Sequence, residues 1–272
     1  MFWGIVVNEH RKVFKRSLFW VALIILTGIS LIMFAGLYFS QQAGETLISG
    51  DIAAITWPFS LVAALQHADQ LGIFIVVLLT ATVACQDYSL GTMRLWLSRG
   101  LKRPTLWTAK TTALILPFLL IAALPILASS PVTAYFTLML KGTINYSEIN
   151  LIQVLLGVLR TAYSFLPYAS ITLFLAVATR SLAATFGGGA AFALLENLVC
   201  QLLGEKIEIL KFLPRQMANS LANSNWLISN TSAIAENSAL LANGYAVVGL
   251  LLWALLFFSL TLLISRGQDL TE

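Results

Sequence analysis

Charge is scarce in this chain. Only 10% of its 272 residues are Asp, Glu, Lys or Arg, against about 25% in an ordinary soluble domain. That is too little polar surface to cover a water-soluble core of this size. Histidine and cysteine are rarer still, at two each. With only His10 and His67, an H-E-x-x-H metalloprotease helix is impossible. Cys85 and Cys200 fit no ligand spacing and read as packing residues in apolar surroundings. There is no G-x-S-x-G turn, and Asp87 has no second intramembrane aspartate for a catalytic dyad. The phosphate-cradling G-x-x-x-x-G-K-[ST] loop is missing too; Gly187-Gly188-Gly189 runs on into Ala190 and Ala191 without a lysine. The chain therefore does not read as an enzyme, and no cofactor or metal site is expected in it.

What is abundant is apolar sequence, at 58%. The mean hydropathy is +0.85. Long apolar runs cover 17–44, 70–86, 111–140, 161–179, 181–195 and 237–265. A bilayer span takes about 20 apolar residues. The fold class expected is all-α, a polytopic membrane protein with six transmembrane helices forming a single membrane domain over 1–272. Expected spans are 18–39, 71–87, 106–128, 151–178, 182–203 and 243–265. The first exceeds a signal-peptide core of about 7–15 residues and lacks an A-x-A site, so the N-terminus is expected to be kept.

The net charge of +4 does not point to nucleic acid, because the cations are sorted along the chain. Eleven of the 16 Lys and Arg fall in 11–16, in 94–110, or at Arg180 and Arg266. By the positive-inside rule those segments, and both termini, are expected in the cytoplasm. Segments 40–70, 129–150 and 204–240 are expected outside, the last as an outer loop with short helices.

Residues 2–17 form an expected interfacial helix. Phe2, Trp3, Val6, Val7, His10, Val13 and Phe14 share one arc, opposite Asn8, Glu9, Arg11, Lys12, Lys15 and Arg16; only Ile5 is misplaced. A second short amphipathic helix is expected within 88–101. Gly91 turns the chain, Thr92 can cap the helix and Gly100 can end it. Leu90, Met93, Trp96, Leu97 and Leu101 lie on one side, with Ser98, Arg99 and Lys102 on the other.

At this point the chain resembles the permease subunits of type-2 ATP-binding-cassette exporters. They carry a Glu-x-x-x-Gly-Thr-Leu-Arg pattern after the second span, then Leu-x-Arg-(Pro or Gly)-x-x-Arg and a Lys entering the third. The matching positions here are Asp87, Gly91, Thr92, Met93, Arg94, Leu97, Arg99, Gly100, Arg103 and Lys110. Asp87 replaces the usual Glu, and Lys102 stands where Ser is common. The opening Asn8-Glu9-x-x-Lys12-x-x-Lys15-Arg16 is similar as well.

The resemblance implies that 88–101 is a coupling helix seated on a separate ATPase subunit, with Asp87, Gly91, Thr92, Arg94, Trp96, Arg99 and Arg103 at the docking site. It implies two ATPase copies holding ATP and Mg, and a second permease copy or similar permease. Gly187, Gly188 and Gly189 would pack against that second permease. The setting implied is a cell (plasma) membrane, with a bacterial source expected. A non-transporting relay to an extracytoplasmic partner is the alternative. Two charges remain inside the expected spans, Arg160 in the fourth and Glu196 in the fifth. Insertion costs at mid-bilayer of about 2.5–3.5 kcal/mol favour a mutual ion pair or snorkelling to the interface, with substrate contact as the other reading.

Overall fold

A computed structural model describes residues 2–43, 55–93, 98, 102–144, 151–203, 207–222 and 241–267. Among the described residues the chain forms helices α1 (Phe2–Phe14), α2 (Ser17–Gln42), α3 (Phe59–Ser89), α4 (Arg103–Lys141), α5 (Leu151–Thr179) and α6 (Leu182–Leu203). A 3-10 turn (Glu208–Phe212), α7 (Pro214–Ala222) and α8 (Asn243–Gly267) follow. Six of these, α2 to α6 and α8, are long and apolar enough to cross a membrane. The protein is an all-α, multi-pass membrane protein.

Composition decides which spans sit inside. Lipid tails are as apolar as leucine, so helices associate through close packing and polar contacts rather than through hydrophobic burial. Accordingly α3 and α5 form the centre, and their buried faces are rich in small and hydroxyl residues such as Ala64, Ala68, Gly72, Ser164, Ala169 and Thr172. Helix α8 is dense in Leu and Phe and leaves most of its surface outward. It lies along α5, while α2 packs on α4 and α6 packs on α5 and α3. Phe118 and Phe165 meet edge to face in the central core. The Arg103 guanidinium at the start of α4 bonds the Ser265 carbonyl near the end of α8. That contact marks one end of the bundle, here called basal, where α1 also lies against α4.

Helix α4 overruns the expected span by 13 residues, continuing from 128 to Lys141 through Pro131. A proline removes an amide donor and frees a carbonyl one turn back. Here the Ser130 hydroxyl donates to the Leu127 carbonyl that Pro131 leaves free, at 3.2 Å. The helix stops only at Gly142, whose φ of 73° is a left-handed cap. Its distal end is clipped by Trp57, whose indole donates to the Ser130 carbonyl at 3.1 Å and whose amide donates to the Thr137 hydroxyl at 2.9 Å. Helix α3 likewise starts at Phe59 rather than 71, so Asp69 belongs to a buried span and not to a loop.

Two further expectations change. The glycine run expected at a second copy is divided, and Gly189 faces this chain's own core. A Cβ there would come within 2.7 Å of Val77 on α3 and 3.1 Å of Thr172 on α5. Gly188 abuts Leu175, and only Gly187 faces open space. In the 204–240 segment two short helices are present, yet α7 is not a surface element. Its Met217 and Leu221 pack against Ala246 and Leu250 of α8.

Candidate functional site

The motif residues converge at the basal end. Asp87 sits in the last turn of α3, where the helix dipole disfavours an anion, so it needs cations close by. Lys110, two turns into α4 and fully buried, supplies one at 2.7 Å from Asp87 Oδ2. Its ammonium also donates to the Val83 carbonyl at 2.7 Å and reaches Glu9 Oε2 at 3.4 Å. Glu9 pairs in turn with Lys12, which lies 3.9 Å from Asp87 Oδ1. Arg16, at the break between α1 and α2, feels both carboxylates. Burial pulls its pKa down, and the charges of Glu9 and Asp87 oppose that.

Gly91 explains how Thr92 joins. Its φ of 65° lies in the left-handed region that glycine enters freely. The chain therefore doubles back, and the Thr92 hydroxyl donates to Asp87 Oδ1 at 2.8 Å. Beside it Met93 is buried against the basal core, with Trp107 and Val177. The Asp87–Gly91–Thr92 spacing and Lys110 thus form one unit. It joins α1, α3 and α4 to the first residues of the expected coupling helix.

Arg103 is engaged at least in part elsewhere, on Ser265 of α8. Arg94, Trp96 and Arg99 lie outside the described residues.

The helical wheel misplaced two residues of α1. Ile5 was the apolar residue on the wrong side and Glu9 was assigned to the polar face, yet both are buried, together with Val6 and Val13. The inward face of α1 is chosen by Lys110, which draws Glu9 under the helix. The sequence did carry a signal, because Glu9 is the only acid in the first 44 residues and Lys110 stands at the mouth of an apolar run.

A second buried cluster lies towards the distal end, and it replaces the expected Arg160–Glu196 pair. Glu196 Oε2 accepts from the Tyr168 hydroxyl at 2.8 Å, and Oε1 accepts from the backbone amide of Arg215 at 2.7 Å. The Arg215 guanidinium pairs with Asp69 Oδ2 at 2.8 Å, and Asp69 Oδ1 accepts from Ser164 at 2.8 Å. The cation of this cluster therefore comes from α7, in a polar segment that depth counting along the spans leaves out. Arg160 instead lines a cavity of about 20 Å³ with Asp69, Gln66, Thr161 and Ser164, room for a single water.

Cys85 and Cys200 are buried and unpaired, as packing residues should be. No family model matches the chain, and no curated protein matches it.

Proposed function

We propose that this chain is the membrane-spanning subunit of an ATP-driven exporter. It would form the path for a drug, peptide, lipid or other amphiphile and dock a separate ATPase through residues 88–101. The observation that carries the reading is the basal charge cluster. A segment that receives force from a partner must be bolted to the spans it moves, and Thr92 and Met93 at its start are held by Asp87, Lys110 and the basal core. Two ATPase copies would bring ATP and Mg, and two permeases would face each other across the path. ATP binds the closed ATPase pair more tightly, and this differential affinity biases the spans between inward and outward access.

The experiment is co-purification with the ATPase, followed by reconstitution in vesicles. Arg94→Glu, Arg99→Glu and Trp96→Ala should weaken docking, since Arg and aromatic anchors often cost about 2 kcal/mol or more on truncation. If all three variants retain the ATPase and ATP-driven efflux, the docking assignment is wrong. Orientation is tested by a single cysteine at Gln42, which should label from outside. One at Ser98 should label only after permeabilisation.

The relay reading draws on the distal cluster, because Arg215 fastens α7 to α3 and α6 and could carry motion to an outer partner. A complex that hydrolyses ATP, moves no amphiphile and changes the accessibility of α7 would favour it.

A further inference from the structure

Between α1 and α4 runs an open groove of about 560 Å³, within the size range of small-molecule sites. Its walls are Trp3, Val7 and Phe14 on one side and Ile115, Leu116 and Leu119 on the other. Trp3, Val7, Ile115 and Leu116 are all substantially exposed in it. The polar members of the lining are His10, Arg11 and Thr112.

The groove has a polar end and an apolar end. The Glu9–Lys110 contact at 3.4 Å fixes the neighbouring His10 and Arg11 near the level of Lys110 on α4. Leu119 lies nine residues further along that helix, roughly 13 Å away at 1.5 Å per residue. The charge at the polar end is positive. Glu9 is taken up by Lys12 and Lys110, while Arg11 is exposed and has no ion pair among the described residues. His10 Nδ1 is itself buried beside it and has no hydrogen-bond partner among the described residues.

We propose that this groove binds one anionic phospholipid of the basal leaflet, with its phosphate at His10 and Arg11 and an acyl chain along Ile115, Leu116 and Leu119. The polarity of the groove fits an amphiphile, and the cation fits an anionic headgroup. The inference stands on the membrane fold and does not depend on the exporter reading.

The test is native mass spectrometry of the full chain in micelles titrated with phosphatidylglycerol or phosphatidylcholine. Wild type should retain one phosphatidylglycerol and little phosphatidylcholine. Arg11→Gln should weaken phosphatidylglycerol about tenfold, as expected for one lost charge-assisted contact. Leu116→Trp, which fills the groove, should abolish retention. Melting in phosphatidylcholine micelles checks that both variants fold. Equal retention of the two lipids, or unchanged phosphatidylglycerol in both variants, overturns the proposal. Loss in Leu116→Trp alone overturns the anionic assignment. A shift from dimer to monomer in Leu116→Trp, with no lipid bound to wild type, assigns the groove to a second copy instead.

Discussion

Replacing Lys110 with methionine tests the basal cluster most directly. The substitution keeps the length and volume of the stem, so it opens little cavity, and it removes only the ammonium. Glu9 Oε2, Asp87 Oδ2 and the Val83 carbonyl then lose the donor they share. Two carboxylates remain nearly fully buried, with the partly exposed Lys12 and Arg16 as the cations near them. Removing one partner of a buried pair costs about 3–5 kcal/mol, because the other charge is left without compensation. Lys12 and the Thr92 hydroxyl still serve Glu9 and Asp87, so the loss should fall near the lower end of that range. Adding Asp87→Asn deletes one of the stranded charges while an amide oxygen can still accept from Thr92. The double variant should therefore recover a substantial part of the loss instead of adding to it. Unfolding in mixed micelles with increasing denaturing detergent, followed by tryptophan fluorescence, reads both quantities. A loss under about 1 kcal/mol for Lys110→Met would place the pair among weak surface bridges. Additive losses in the double variant would refute the claim that Lys110 serves Asp87.

Gly91→Ala forces a β-carbon into a left-handed backbone. It should cost about 1–2 kcal/mol, with Gly91→Asn milder, in the same unfolding assay. Gly189→Ala should destabilise by about 1–3 kcal/mol through overpacking against Val77. Gly187→Ala, which meets nothing, should be neutral or stabilising by up to about 1 kcal/mol; equal effects at the two sites would sink the packing assignment. Tyr168→Phe should cost about 1.5–3 kcal/mol by removing a hydrogen bond to Glu196. A double-mutant cycle should show coupling of Tyr168 with Glu196 and none of Arg160 with Glu196.

The six spans were legible because a run of apolar residues long enough to cross a bilayer has few other uses. Their ends were less so. The third span is expected to close at 128 with a loop beyond it, yet the helix runs on through Pro131, because whether a proline ends a helix depends on what satisfies the freed carbonyl. Here Ser130 does that locally, and Trp57 holds the extension from another part of the chain. Gly91 as a turn has a local reason, and the family resemblance singles out Asp87, Thr92 and Lys110 by position; Thr92 reads there as a helix cap, however, and its bond to Asp87 emerges only once the chain doubles back. Glu9 and Arg215 could not be placed in the same way. Periodicity sorts a helix by polarity, and each of these residues is drawn inward by an opposite charge on a different helix. Matching charges across helices is a property of the packed bundle, invisible in any one segment.

The length of α4 makes it a lever. Its 39 residues would span roughly 58 Å if straight, nearly twice the thickness of a hydrocarbon core. One arm begins at the Arg103 contact and carries Lys110; the other ends at the Trp57 clip. Prolines at 117 and 125 sit near the middle, where the backbone ladder is weakest. From Pro125 to Lys141 is roughly 24 Å, so a tilt of about 5° at that fulcrum swings the distal tip by about 2 Å. The Trp57 clip grips Ser130, Thr133 and Thr137 between that fulcrum and the tip, so the same tilt carries its outermost partner about 1.5 Å and is resisted by all three hydrogen bonds.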